Sequence, residues 1–549
     1  MKGAELCLKA AYKLGRENVF GIVGGESQAI QFDEEKNINF YLTRHEFAAG
    51  IMADVYSRIT DKPQMCYSTA GPGLTNLSTG VFSAIQDRSP VLVVSAQIPK
   101  AEIFFNETHQ CLDNVGFMKT ITKYATEIDD VMKIPEILTT ALNIAVNGIP
   151  GPVYISFPWD IMKIEVEETK AQEMLNNLQP IVKKLPPAPD YKKLDLIIEK
   201  IIAAKHPLIL AGNQVIREES CSQLLKLVNA TNIPVMSTIC SKGVIPENHP
   251  LCLTSANKYI DKIYLQSLTG KVFADCDLLL LIGYDIGEDA KPSLWNANKI
   301  ETIVVNSFYN DVSKVFQPSM LCLGGLSKSL EYLCNANIAP KIISDSAKVA
   351  KKSLDDKVIG DNGEAKFLES IMDSIRNALG EHGILCVDVG LHKLYAALFS
   401  KTYHPNTFIS SGVCSTFGFG LPAGLGIKLA MPHERVCVVC GDGGFHSTSQ
   451  DIETAIRYNI PIVIVLLNDN SFGMIKCCQF IARDDVFSQS VELGKVDFVK
   501  LANANGMDAK LITDALELEN AINDAFKKNV SLLIEVPITY PYQLIAQTV

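Results

Sequence analysis

Unbroken apolar runs of four to eight residues recur along the chain, which is the pattern of strands buried on both faces rather than of half-exposed, alternating ones. The run Val436-Cys437-Val438-Val439-Cys440 leads into Gly441-Asp442-Gly443. Residues 444–455 then read as a helix start and its first turns. A second run, 460–467, leads into Asn468-Asp469-Asn470-Ser471. Two such strands joined by one helix predict a parallel βαβ unit. Both polar clusters fall at carboxyl ends of neighbouring strands, where open α/β sheets bind ligands.

The same punctuation divides the rest. Residues 1–165 predict a first α/β domain, with a helix over 4–14 and strands over 19–23, 40–43, 64–68, 91–95 and 153–157. Its strand ends carry Gly24-Gly25-Glu26-Ser27, Arg44-His45-Glu46, Thr69-Ala70-Gly71-Pro72-Gly73-Leu74-Thr75-Asn76 and Ala96-Gln97. Residues 165–184 are charge-rich, and Leu185-Pro186-Pro187-Ala188-Pro189 continues neither helix nor sheet, so this stretch reads as a linker. Residues 190–340 predict a central domain with strands over 207–211, 234–236, 278–282 and 302–306. No GxGxxG opens it, which disfavours a nicotinamide oxidoreductase. Residues 340–365 read as a second linker, and a third domain, 360–549, opens on Ile384-Leu385-Cys386-Val387 and closes on Leu532-Leu533-Ile534-Glu535-Val536. The fold class is α/β, with doubly wound parallel sheets.

Composition narrows the function classes. The 549 residues imply about three domains, and 47% hydrophobic with 20% charged residues suits a large globular core. No apolar stretch is long enough to span a bilayer, and the start of the chain carries early charge without a signal-type apolar core. A net charge of −11 argues against nonspecific nucleic-acid binding. Fifteen cysteines without framework spacing suit reduced thiols and a cytoplasmic location. Cys477-Cys478 is not a zinc signature.

The candidate chemistry lies at the strand ends. Asp442 and Asp469 offer hard oxygen ligands from two adjacent strands, and backbone carbonyls such as that of Ser471 add to them. Mg²⁺ takes such oxygens and completes its shell with phosphate and water. The glycines allow close approach of a phosphate, and the helix that follows favours an anion. A lone Gly-Asp-Gly is more often a turn with a solvated Asp. The second acidic strand end, one crossover away, is what points to a metal-bridged diphosphate.

Taken together, Arg44-His45-Glu46, Gly441-Asp442-Gly443 with Asn468-Asp469, and a central α/β segment resemble the thiamine diphosphate enzymes. Essentially the whole chain is similar to the acetohydroxyacid (acetolactate) synthase family. The stretches that carry this are Ala70-Gly71-Pro72-Gly73 with Thr75-Asn76, Gly418-Phe419-Gly420-Leu421-Pro422-Ala423, and Gly473-Met474. Within that family it is most similar to the carboxyethylarginine synthases. That likeness rests on Thr43-Arg44-His45-Glu46-Phe47 with Asp54 and Arg58, on Asp87-Arg88-Ser89-Pro90-Val91, on Thr108-His109-Gln110-Cys111-Leu112-Asp113, and on Val496-Asp497-Phe498-Val499.

The resemblance implies a pyrimidine-binding first domain, a central domain, and a diphosphate- and metal-binding last domain. It implies thiamine diphosphate and Mg²⁺ as cofactors, with no clear flavin signature in the central segment. Glu46 would hydrogen-bond the cofactor pyrimidine. The cofactor would be lined by Asn76, Gly390, His392, Ser415, Phe417, Gly441, Gly443, Gly444, Ser471, Phe472, Gly473 and Met474. Asp442, Asp469 and the Ser471 carbonyl would hold the metal. Relatives usually carry Asn where Asp469 stands. Gln97 would face the bound intermediate as a catalytic residue, and Glu26 and Lys393 would meet the substrate.

The implied reaction is that of a carboligase or transferase joining a triose phosphate and an amino acid into an N-carboxyethyl amino acid. The alternative is decarboxylation of pyruvate and transfer to a 2-keto acid; a third reading is a cofactor-binding protein without turnover. Lys393-Leu394 departs from the Arg-His pair of carboxyethylarginine synthases. Cys477-Cys478 departs from the Gln-Trp pair of acetohydroxyacid synthases. Sites shared between subunits would make the chain a homodimer or homotetramer acting on small molecules.

Overall fold

A computed structural model describes residues 1–27, 29–32, 37–100, 102, 109–257, 268–295, 300–309, 315–356, 362–482 and 487–542. Thr108 of the quoted stretches lies outside the described residues.

Three six-stranded sheets organise the chain. The first contains β1 (Asn18–Gly21), β2 (Asn39–Leu42), β3 (Gln64–Ser68), β4 (Val91–Gln97), β5 (Tyr124–Glu127) and β6 (Val153–Pro158). The second contains β7 (Pro207–Ala211), β8 (Val235–Ser237), β9 (Cys252–Ser255), β10 (Leu278–Ile282), β11 (Glu301–Asn306) and β12 (Met320–Leu323). The third contains β13 (Ile384–Val387), β14 (Phe408–Ser410), β15 (Val436–Gly441), β16 (Val463–Asn468), β17 (Asp508–Leu511) and β18 (Leu532–Pro537). The pairings are parallel throughout.

The first and third sheets share one order, 2-1-3-4-6-5 counted within each domain. The second runs β12-β11-β10-β7-β8-β9, the doubly wound order of dinucleotide-binding sheets. The expected βαβ unit is present: β15 pairs in parallel with β16, Gly441 opposite Leu467. The intervening helix begins earlier than the pattern suggests, at Asp442 itself with Gly441 as its N-cap.

Both presumed linkers hold structure. Within 165–184 a helix, Glu168–Asn176, buries Ala171 and Leu175 against the first domain. Within 340–365 another, Asp345–Asp355, buries Ala347 and Ala350 against the central one. Charge on their outer faces masked these short amphipathic stripes.

One hydrophobic core runs through the first and last domains together, from Phe20, Ile51 and Met52 to Leu421, Val438 and Phe445. Its spine is the helix Glu46–Thr60 packed on the helix Gly420–Ala430. The small residues of both permit near contact. A Cβ at Gly426 would stand 2.8 Å from the Met52 carbonyl, and one at Gly50 would stand 2.9 Å from the Gly80 Cα in the neighbouring helix Pro72–Gln86.

A buried ion cluster seals one end of this spine. Arg58 Nη2 donates to Asp54 and to Asp87 Oδ2 at 3.0 Å, and Arg58 Nη1 donates to the Ser410 carbonyl at 3.1 Å. Asp87 in turn accepts from Gly412 N at 3.2 Å and Val413 N at 2.8 Å. Removing one partner from such a cluster strands a buried charge. Among the described residues no helix is long and apolar enough to cross a membrane.

Candidate active site

The carboxyl ends of β15 and β16 bring Asp442 and Asp469 together. Asp442 is 3% exposed and its Oδ1 accepts from Gly443 N at 2.9 Å. Asp469 accepts from Ser471 Oγ at 2.6 Å and from the Tyr542 hydroxyl at 3.2 Å. Among the described residues no Lys or Arg forms an ion pair with either carboxylate. Burial, and next the Asp469 charge, push Asp442 up to about 7. Burial also raises Asp469. Two buried acids held close, neither of them in such an ion pair, are a poor arrangement for stability and a good one for a divalent cation.

Asn470 and Ser471 form the lip. Asn470 has φ +52° and its amide donates to Asn468 Oδ1 at 3.0 Å. Asn468 is pinned by its own amide to Glu535 at 2.7 Å. The lip is strapped to the segment after 487 by Phe472 N to the Val491 carbonyl and Leu493 N to the Asn470 carbonyl, both 2.9 Å. Gly473 is wedged: a Cβ there would lie 2.9 Å from Asp469 Oδ2 and 3.0 Å from the Tyr540 ring. Met474 follows it into the helix Gly473–Ala482. A Cβ at Gly443 would lie 2.8 Å from the Phe472 ring.

Next to the acids lies a cradle suited to a diphosphate. His392 is buried, and its Nε2 has no hydrogen-bond partner. Burial lowers its pKa to about 4, so the ring is neutral. It packs under Gly390 and Gly441, where a Cβ would stand 2.5 Å and 3.2 Å from its Cε1. A buried ring nitrogen without a partner is costly unless a ligand satisfies it. Gly444 packs on Asp388, a residue the sequence reading did not single out. Asp388 Oδ1 accepts from Val389 N at 2.7 Å and Phe419 N at 3.0 Å, and burial raises its pKa to about 7. It thus fixes both the loop after β13 and the start of the helix Gly420–Ala430. The paired acids, the orphaned imidazole and the side-chain-free turn fit a metal-bound diphosphate.

The loop 411–418 faces this cradle. Ser415 has φ +51° and is exposed. Phe417 is 44% exposed and its ring meets Phe472 edge-on at 5.6 Å. Gly418, at φ +77°, lies where a Cβ would fall 2.3 Å from Ser447 Oγ. The ion cluster around Asp87 holds this loop from behind.

Glu46 begins its helix at the end of β2 and is 7% exposed. Asn76 Nδ2 donates to its Oε2 at 3.0 Å. Neighbouring strand ends supply the other predicted groups. Glu26 accepts from Thr69 Oγ1 at 2.7 Å. Gln97 is buried with its amide spent on backbone, Nε2 to the Leu112 carbonyl and Oε1 from Ile98 N, both 3.0 Å. Lys393 turns away from the cradle: its Nζ donates to the Ser411 carbonyl at 2.8 Å and lies 3.6 Å from Asp289 of the central domain.

The two clusters do not meet within one chain. Arg58, at the far end of the Glu46 helix, stands over the Phe419 ring at 5.9 Å, beside Phe417. Glu46 lies twelve residues before Arg58, a helical rise of ~18 Å. The Glu46 end docks instead on Asp451 and Tyr458, through Arg44 N at 2.8 Å and Leu42 N at 2.9 Å. The carboxylate and the metal cradle therefore occupy opposite ends of an antiparallel helix pair.

A further ligating cluster, Glu381, His382 and His404, is remote from the cradle at the amino edge of β13; its two rings stack at 4.3 Å.

Family models for thiamine pyrophosphate enzymes match each of the three domains. The N-terminal TPP-binding domain matches residues 1–117, the central domain 194–333, and the C-terminal TPP-binding domain 388–536. By its three domains the protein is thus a thiamine pyrophosphate-type enzyme. Among such enzymes the chain belongs to the acetolactate synthase family. It is 31% identical to a probable acetolactate synthase large subunit of Methanocaldococcus jannaschii, over 98% of this chain and 92% of the relative. It is 30% identical to the acetolactate synthase of Bacillus subtilis, over 98% and 93%. It is 27% identical to the acetolactate synthase isozyme 3 large subunit of Escherichia coli, over 99% and 97%.

Proposed function

We propose that the chain is a thiamine diphosphate- and Mg²⁺-dependent enzyme that decarboxylates pyruvate and transfers the two-carbon fragment to a second 2-keto acid. The observation that carries this is the similarity to acetolactate synthases along nearly the full length of both chains. When bound, the cofactor supplies the carbanion chemistry. The chain supplies position and charge. Asp442, Asp469 and the Ser471 carbonyl hold Mg²⁺. His392 Nε2, the turn Gly441, Gly443 and Gly444, and Gly390 receive the diphosphate. Phe417 would give the cofactor an apolar support, and Phe472, Gly473, Met474 and the Ser415 carbonyl would line it. Glu46, steadied through Oε2 by Asn76, would hydrogen-bond the pyrimidine through Oε1. Glu26 and Gln97 border the substrate side.

The separation of Glu46 from the cradle supports a second copy completing each site, so the working form is a homodimer or a tetramer of such pairs. Free thiols at all fifteen cysteines suit a reducing cytoplasm.

A second reading, triose phosphate plus amino acid to an N-carboxyethyl amino acid, rests only on the resemblance to carboxyethylarginine synthases read from the sequence and on Cys477-Cys478. It needs a cation for the substrate phosphate, and Lys393, its candidate, is committed to Ser411 and Asp289. Incubation with thiamine diphosphate, MgCl₂ and pyruvate alone is expected to release CO₂ with acetolactate. Phosphate released from glyceraldehyde 3-phosphate plus arginine, with no CO₂ from pyruvate, would overturn the proposal in favour of the second reading.

A further inference from the structure

A carboxylate offers two equivalent oxygens to a cation, and either one, or both, can bind. At Asp469 that symmetry is broken. Both side-chain donors reach the same oxygen: Ser471 Oγ lies 2.6 Å and the Tyr542 hydroxyl 3.2 Å from Oδ2. The Gly473 backbone closes on that oxygen too, leaving no room for a Cβ. Among the described residues no side chain donates to Oδ1. Ser471 is local, two residues from Asp469 in the lip itself. Tyr542 comes from the other side, past the end of β18. Its hydroxyl is aimed by packing: the ring lies 6.2 Å from Phe480, 6.0 Å from Phe487 and 6.3 Å from Tyr540. Tyr540, itself buried, is the ring against which Gly473 is wedged.

We propose that Tyr542 is a positioning residue for the cation ligand Asp469. Together with Ser471 it fastens Oδ2, so that Asp469 presents Oδ1 alone to Mg²⁺. Ordered metal and cofactor binding thereby depends on the closing segment of the chain being docked. The inference rests on the metal assignment made above, and it adds a residue that no strand-end motif contains. Donors behind a metal ligand commonly matter to affinity by one to two orders of magnitude.

The test is Mg²⁺ titration by calorimetry at saturating thiamine diphosphate, on the full chain and on Tyr542→Phe, Asp469→Ala and the double variant. Phenylalanine keeps the aromatic packing and removes only the hydroxyl. Tyr542→Phe is expected to weaken Mg²⁺ binding about tenfold, with the melting temperature of the metal-free protein unchanged. In the Asp469→Ala background, which has no ligating side chain left to position, the same substitution is expected to change Mg²⁺ affinity by less than about twofold, because the two groups act as one unit. Equal Mg²⁺ affinity in Tyr542→Phe and the parent, or an equal loss in both backgrounds, overturns the inference while leaving the function intact. A parent protein whose cofactor binding ignores Mg²⁺ overturns the metal assignment itself.

Discussion

The Met52 carbonyl occupies the space that a side chain on Gly426 would need, 2.8 Å from the position of its Cβ. The first and last domains are therefore joined backbone to backbone, and the geometry of that joint sets where each half of the site points. Gly426→Val would force the helices apart. Overpacking of this kind costs about 1–3 kcal/mol. Denaturant unfolding should show that loss in the transition that reports the joined first and last domains.

Because Glu46 and the metal cradle sit at opposite ends of the paired helices Glu46–Thr60 and Gly420–Ala430, two inactive variants should repair each other. Glu46→Gln spoils the carboxylate, and Asp442→Asn spoils the metal site. Mixed after reversible dissociation, or co-expressed, they should recover roughly one quarter of parental activity. Half of the random pairs are then mixed, each with one intact site of two. No recovery above the separate variants would mean that each chain builds its site alone.

His392 carries a buried nitrogen without a partner in the protein. His392→Ala should weaken thiamine diphosphate binding about tenfold, the range for one hydrogen bond to a charged group. The cofactor-free protein should melt no lower than the parent by more than the small cavity term, since an unsatisfied polar group leaves with the ring. A binding loss accompanied by gross unfolding would place His392 in the core instead.

A pH effect is expected away from the site. Burial raises Glu288 from 4.5 to about 7. It accepts from Asn213 N at 3.1 Å and Asp285 N at 3.2 Å, between the central and first domains. With its folded pKa above its unfolded value, the native state binds the extra proton. The stability it contributes is present below the unfolded pKa and is lost as pH rises through about 7. The loss is on the order of 3 kcal/mol. Glu288→Gln should flatten that part of the stability curve and raise the melting temperature relative to the parent at alkaline pH.

Strands buried on both faces were readable because period and length agree: 64–68, 207–211, 278–282 and 384–387 match β3, β7, β10 and β13 residue for residue. The edge strands β5, β9, β12, β14 and β17 were not read. They are short, and those such as Tyr124–Glu127 and Asp508–Leu511 are polar and half open, so no hydrophobic run announces them. Asp442 and Asp469 were legible from their strand-end position. Asp388, Asp87 and Tyr542 were not, because each acts through contacts with residues far along the chain. Gln97 and Lys393 were named by likeness, and their side chains turn out to be occupied by backbone carbonyls. Spacing in sequence cannot disclose such commitments.

The nearly half-open ring of Phe417, left bare at the mouth of the cradle, has a bearing on how the molecule behaves in a cell. An active centre assembled from two polypeptides responds to abundance as a threshold rather than in proportion. At low expression solitary copies dominate and catalysis is silent; above the dissociation constant of the pair, output climbs steeply. Dilution alone would switch such a catalyst off.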